Sequence, residues 1–298
     1  MAQIPTAMNP IAAVLTLFSA LFHAGWNLLA RKYRGGSLFL RVPLLISAAG
    51  LLPILASEIW GAPFPKGTWV NFTIGGVCLA VYFTGLTQGY ECGDFSVVYP
   101  LARALPVLAI ALADIFMGSP PSWLGWTGMI LVAAGCIISP LDSWRRIRLT
   151  SYINRATGWI LVTAAGMIGY TLADNQALDR FQPGIGLVLR YHVLESMVSL
   201  FAFGLFLSLL RQPLKLETGL QNWKTSFVMA VLLFSAYTLV LIAYQYSPET
   251  SYVVAMRQFS LVIGVPIGAY YFKESAPLLR ILAALTITAG IVLIVLAG

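Results

Sequence analysis

Apolar runs of about twenty residues, repeated from one end of the chain to the other between short polar breaks, constrain this sequence more than any other feature. A helix rising ~1.5 Å per residue needs a run of that length to cross the ~30 Å hydrocarbon core of a bilayer. Breaks at charge, proline and glycine clusters divide the chain into ten runs: Ile11–Ala30, Ser37–Ser57, Trp69–Tyr90, Phe95–Met117, Trp123–Leu141, Gly158–Leu172, Gly184–Leu210, Ser226–Tyr246, Thr250–Phe272 and Leu278–Ala297. Barrel strands would alternate apolar and polar residues over about ten positions. These runs are continuous, so transmembrane helices are predicted. Only 10% of the residues are charged, against roughly 25% in a soluble domain. So few charges cannot cover a water-facing surface, which excludes a soluble enzyme or a nucleic-acid module despite the net charge of +7.

The basic residues are distributed unevenly. Twelve of the 18 Lys and Arg, from Arg31 and Lys32 through Arg145 and Arg146 to Lys273 and Arg280, fall in the loops after runs one, five, seven and nine. Lys66 and Arg180 alone fall on the opposite side. Positive loops stay in the cytoplasm, so this distribution predicts cytoplasmic basic loops with both termini outside. Met1 to Asn9 lacks the basic start of a signal peptide, so the first run is expected to be retained. Cys78, Cys92 and Cys136 show no paired or metal-ligand spacing.

An internal repeat organises the runs. At an offset of 155, Asp94-Phe-Ser-Val-Val meets Glu249-Thr-Ser-Tyr-Val, and Ala134-Gly135 meets Ala289-Gly290. Arg103 and Arg257 then fall within one position of each other, and Arg41 in run two matches Arg190 in run seven. Five runs per copy is odd, so the second copy must enter the membrane in the opposite sense. The fold expected is therefore an all-α integral membrane protein of ten transmembrane helices in two inverted five-helix repeats, 1–149 and 150–298. Secondary transporters recurrently use that architecture, with a site near the midplane between the halves.

His23-Ala24-Gly25-Trp26-Asn27, Tyr99-Pro100-Leu101-Ala102-Arg103 and the two Ala-Gly endings resemble the drug/metabolite transporter superfamily, in its ten-helix EamA-type branch. The resemblance spans nearly the whole chain, through loose motifs. A Gly-Glu pair commonly follows the fourth and ninth helices of such proteins. Here Glu274 keeps the acid after run nine, and Gly118-Ser119 lacks it after run four. The resemblance implies transport of a small organic metabolite and leaves the cargo open. Relatives are often described with cytoplasmic termini, whereas the charge distribution here puts them outside.

Charges inside a span cost at least ~2.5–3.5 kcal/mol each at the helix centre, so they face a cavity or a partner. Arg103 lies about eight residues into its run, roughly 12 Å deep, and Arg257 at similar depth in the other half. Each reads as an anchor for an anion, or alternatively as a structural arginine bound to backbone carbonyls. Tyr99, one turn before Arg103, is expected to stack on it, and Pro100 to bend the helix there. In run seven His192, Glu195, Ser196 and Ser199 share one helical face. Glu195 is the candidate proton-coupling acid with His192 as its relay; the alternative is an ion pair between Glu195 and Arg190. Trp26 and Asn27, with the deep tyrosines Tyr82, Tyr170, Tyr237, Tyr244 and Tyr252, are the remaining candidates for cargo binding, by ring stacking on an aromatic or cationic metabolite. The alternative is an interfacial belt, where membrane tyrosines and tryptophans commonly sit. Residues of the first half lie toward the cytoplasmic side and those of the second toward the outer side, suggesting an inner and an outer gate.

The function expected is a secondary-active carrier of a small organic metabolite, an amino acid or similar and exported, working by alternating access in a bacterial inner membrane. Protons are the candidate coupling ion, a monomer is expected, and neither cofactor, metal nor nucleic acid is. Competing readings are an integral-membrane enzyme acting on lipid or isoprenoid, and a facilitative channel. Against the enzyme, no His-Glu-x-x-His, Gly-x-Ser-x-Gly or aspartate-rich cluster is present.

Overall fold

In the computed structural model the described residues are 8–32, 36–92, 95–138, 141, 155–212, 216, 219–272 and 277–297, and among them the chain is helical with no strand. The described residues form eleven helices: α1 (Pro10–Lys32), α2 (Gly36–Trp60), α3 (Thr68–Cys92), α4 (Phe95–Phe116), α5 (Trp123–Ile138), α6 (Arg155–Leu178), α7 (Ile185–Leu209), α8 (Leu220–Tyr244), α9 (Thr250–Met256), α10 (Phe259–Phe272) and α11 (Pro277–Ala297). Among the described residues α1, α2, α3, α6, α7 and α8 are long and apolar enough to cross a membrane. The basic loop residues Arg34, Arg145, Arg146, Arg148, Lys215 and Lys273 lie outside the described residues, as does the boundary between the two copies.

Burial inverts the pattern of a soluble protein. Leu52, Phe116, Phe201 and Leu278 are 74% to 90% exposed, while Arg103, Asp174, Glu195 and Gln258 are buried. An apolar shell of this extent would drive association in water and is at ease only in lipid. The chain is a multi-pass helical membrane protein.

Three runs fold differently from expectation. The eighth begins at Leu220 rather than Ser226, taking Gln221, Asn222 and Lys224 into the helix. The sixth continues to Leu178 rather than ending at Leu172, because Asp174 and Asn175 are not loop residues but buried members of α6. The ninth is two helices, broken at Arg257 and Gln258. The Gln258 N–H bonds to the Ala255 carbonyl three residues back, at 3.0 Å, rather than four back. That frees the Val254 carbonyl, which the Gln258 side-chain amide then takes up at 3.0 Å. Freed backbone groups are tolerated at membrane depth only when re-satisfied in this way.

Helix α3 packs on α6 and α7, α8 packs on α1 and α2, and α2 meets α7. At one end α4 meets α5 and α10 meets α11, with α5 lying along α11. Small residues permit the closest crossings. A Cβ added to Gly128 would lie 2.6 Å from the Gly290 carbonyl oxygen, and one added to Gly290 would lie 2.5 Å from that of Gly128.

Candidate functional site

Between the helices lies a cavity of about 40 Å³, lined by His23 and Trp26 of α1, Tyr82 of α3, Tyr170 of α6, His192 of α7, Tyr237 of α8 and Arg257 of the α9–α10 break. Its volume suits a few waters. The walls are mostly rings set edge to face: Tyr82 on Tyr170 at 5.8 Å between centroids, and Tyr170 on Tyr237 at 5.5 Å. Such offset pairs are the favourable aromatic geometry. The Trp26 indole donates to His23 Nδ1 at 2.9 Å, and the His192 ring stacks on Phe234 at 4.3 Å while its Nδ1 meets the Thr238 hydroxyl at 3.0 Å.

Arg257 lines this cavity from the break between α9 and α10. Its Nη2 donates to the Tyr170 hydroxyl at 3.3 Å, its guanidinium lies 5.9 Å from the Tyr237 ring, and its Nε has no hydrogen-bond partner. The residue is 3% exposed. A buried cation in a cavity wall, with phenols for neighbours and one N–H without a partner, is suited to an anionic group. Arg103 donates from Nη1 to Gln258 Oε1 at 3.3 Å and so approaches the same break from α4.

Five of the cargo candidates, Trp26, Tyr82, Tyr170, Tyr237 and Arg257, therefore line one cavity, joined by His192. First-half and second-half residues meet there rather than forming separate inner and outer clusters. Asn27 instead donates to its own helix, at the His23 carbonyl, 2.6 Å. Tyr244 is buried in α8 two turns from Tyr237 and does not line the cavity. Tyr99 lies among residues whose side chains are outside the described set. Arg190 donates to the Ala62 carbonyl at 2.5 Å and lies over Phe64 at 4.5 Å. Glu195 and His192 part company, since His192 turns to α8 and Glu195 to α3.

Sequence reasoning missed Asp174. It accepts hydrogen bonds from the Tyr191 hydroxyl at 2.6 Å and from the Tyr237 hydroxyl, which also belongs to the cavity wall. Its oxygen and that of Glu195 converge on Gly75 of α3, where an added Cβ would lie 2.8 Å from Asp174 Oδ1 and 3.1 Å from Glu195 Oε1. No N–H or hydroxyl donates to either Glu195 oxygen among the described residues. The available signal was Asp174 itself, hidden by neighbours Asn175 and Gln176 that make the stretch look like a loop.

One end of the bundle is tied by α9. Asp114 of α4 accepts from the Ser251 N–H at 2.8 Å, serving as a cap supplied by another helix. The Tyr252 hydroxyl, a cargo candidate by sequence, accepts instead from the Ser122 N–H at 3.0 Å, packed where a Cβ on Gly125 would collide with it. Asp114→Ala is expected to remove about 1–2 kcal/mol of stability, read as a lower thermal midpoint of the purified protein. An unchanged midpoint would show that the contact contributes nothing.

An all-helical bundle with an exposed apolar shell and a charged, ring-lined cavity between its helices has the make-up of a membrane protein that handles small molecules. Residues 10–140 match the model of the EamA-like transporter family, a resemblance that points to a membrane transporter of small molecules. A solved crystal structure, described only as that of a protein, is similar over 95% of this chain and 95% of its own, with a TM-score of 0.69 at 16% identity, which shows the fold alone. No curated protein is similar enough to count as a match.

Proposed function

We propose that the chain is a secondary-active carrier that binds a small organic metabolite bearing an anionic group, an amino acid or similar, in the cavity at Arg257 and exports it by alternating access. The observation that carries this reading is Arg257, buried at a helix break with an unpartnered Nε in a chamber of aromatic rings. The carboxylate would bind the guanidinium, and Trp26, Tyr82, Tyr170 and Tyr237 would enclose the organic part. Arg103 would support the break from the other half through Gln258.

The proposed scaffold is ten spans in two inverted five-helix repeats, 1–149 and 150–298, with α9 and α10 forming one span. Packing supports this. Exchanging each helix of the first half for its counterpart turns α3–α6 into α8–α1, α3–α7 into α8–α2 and α4–α5 into α10–α11, all of which are contacts. Arg103 also touches Gln258, 155 residues away, the offset at which the two copies align. Two equivalent positions in contact are what a pseudo-two-fold axis requires. With the basic loops cytoplasmic, the proposed location is a bacterial inner membrane, with termini outside and a monomer as the working unit.

Counterflow in liposomes loaded with a metabolite panel tests the reading. Saturable exchange of a carboxylate-bearing metabolite is expected. Non-saturable flux would indicate a channel, and no exchange of any member with a lipid substrate turned over would indicate an enzyme. A tryptophan in the wall provides a second readout: cargo is expected to change Trp26 fluorescence, and Trp26→Phe to abolish that change while the other tryptophans remain. Persistence of the full change in the variant would remove Trp26 from the site.

A further inference from the structure

Asp174 and Glu195 come from different helices, α6 and α7, and meet over a glycine of a third. Both are fully buried. The approach is built in: Gly75 has no Cβ to occupy the space, and Gly76 beside it lets α7 close in, since a Cβ there would lie 2.7 Å from the Glu195 carbonyl oxygen. Two carboxylates facing one dry space repel each other, and such a site is relieved by holding a proton. Asp174 has two phenolic donors, whereas Glu195 has no donor among the described N–H and hydroxyl groups, which leaves a proton as the natural partner of its oxygens.

The pair is also connected to the cavity. Tyr237 donates to Asp174 on one side, and on the other its ring faces the Arg257 guanidinium at 5.9 Å and the Tyr170 ring at 5.5 Å. Tyr170 is in turn the hydrogen-bond acceptor for Arg257. The titratable or charged groups facing the pair are Cys78 from α3, Tyr191 from α7, Tyr237 from α8 and Arg257 from the α9–α10 break. Arg257 is the one cation among these four.

We infer that Asp174 and Glu195 form a shared proton-binding site wired to the cavity through Tyr237 and Arg257, so that a proton and an anionic cargo bind together rather than in competition. The cargo part rests on the proposed role of Arg257; the proton site does not. The sign follows from charge. Arg257 favours the ionised pair, so an anion that neutralises Arg257 favours proton uptake by the pair. By reciprocity, the protonated pair favours anion binding.

Infrared pH titration of the full chain in lipid vesicles, with no cargo present, tests the site through the carboxylic-acid carbonyl band. A titrating band is expected in the wild type. Asp174→Asn and Glu195→Gln should each abolish it or move its midpoint by at least about one pH unit, because each removes the other's like-charged neighbour. Asp114→Asn, in the α9 cap, should leave it in place. Arg257→Gln should raise the midpoint by about one pH unit, a tenfold change in proton affinity, and Arg41→Gln should not. Absence of a titrating band in the wild type, or a band that keeps its midpoint in Asp174→Asn or Glu195→Gln, would overturn the site. A midpoint indifferent to Arg257→Gln would overturn the link. If Asp174→Asn does not fold, Glu195→Gln and Arg257→Gln decide. Failed counterflow with an intact band would reject the carrier and keep the proton site; the converse would reject only the latter.

Discussion

Replacing Arg257 with alanine is expected to weaken binding of the transported carboxylate by at least roughly 30-fold, from the about 2–5 kcal/mol that removing one partner of a buried charge pair costs. The guanidinium lines the cavity with phenols around it, and Arg103, which approaches the same break through Gln258, is not part of the cavity wall, so no second arginine of the wall takes over its role. Arg257→Lys should recover part of the affinity, because the charge stays while the planar donor fork is lost. Arg41→Ala makes the control. Arg41 bonds to the Ser226 hydroxyl at 2.8 Å and does not line the cavity, so its loss should leave affinity within a few-fold. Concentration dependence of counterflow, for a panel member that the wild type exchanges, checks the series. Equal affinities in wild type and Arg257→Ala would show that the cavity arginine does not hold the cargo.

A second large effect is expected from a residue with no polar chemistry. Helix α6 crosses α3 at Gly166, where an added Cβ would lie 2.5 Å from the Tyr82 nitrogen and 2.7 Å from the Cys78 carbonyl oxygen. Both are backbone atoms of a helix and cannot rotate away. Gly166→Val should push α6 off α3, disturbing Tyr82 and Tyr170 together, at a cost of about 3 kcal/mol or more. Gly169→Ala meets the Cys78 sulfur instead, at 2.5 Å, a side-chain atom that is able to swing aside, so the effect should be smaller. Gly204, in α7, has open space around its Cα, and Gly204→Ala should be neutral or stabilising by up to about 1 kcal/mol, the helix-propensity gain. Thermal unfolding of the purified full chain should rank the three in that order. A Gly166→Val midpoint equal to wild type would show that α3 and α6 do not approach as closely as described.

Hydropathy was enough to find the helices but not to bound them correctly, and the departures in runs six and nine have one cause. A window average treats a polar residue as a solvent-facing break. Asp174 and Asn175 are polar and fully inside, so run six was cut short and the acid that faces Glu195 was missed. Thr250–Phe272 carries no charged or amide side chain apart from Arg257 and Gln258, so its average stays high and does not show the break at those two residues. That break depends on Gln258 capping the Val254 carbonyl and reaching Arg103, partners chosen by packing.

The site divides in the same manner. Arg257, Tyr170, Tyr237, Tyr82, Trp26, His192 and Glu195 were legible because a charge or a deep ring within an apolar run is costly or unusual wherever it points. Which of them meet was not legible. Periodicity puts His192 and Glu195 on one face of α7, yet that face is wide enough for His192 to meet Thr238 of α8 while Glu195 turns to Gly75 of α3. Tyr252 and Arg190 qualified by depth and are used elsewhere, at Ser122 and at Ala62.

Apolar runs mostly long enough to cross a bilayer core, with few charges between them, determined from sequence alone that this chain is a bundle of membrane helices. Which buried groups become neighbours was decided only in three dimensions. One helix's periodicity fixes directions around its own axis, whereas Asp174, Glu195, Tyr237 and Arg257 come together from four segments of the chain. Their proximity depends on how closely α3, α6, α7 and α8 pack, and that is set by glycines such as Gly75 and Gly166 whose importance lies in the atoms they lack.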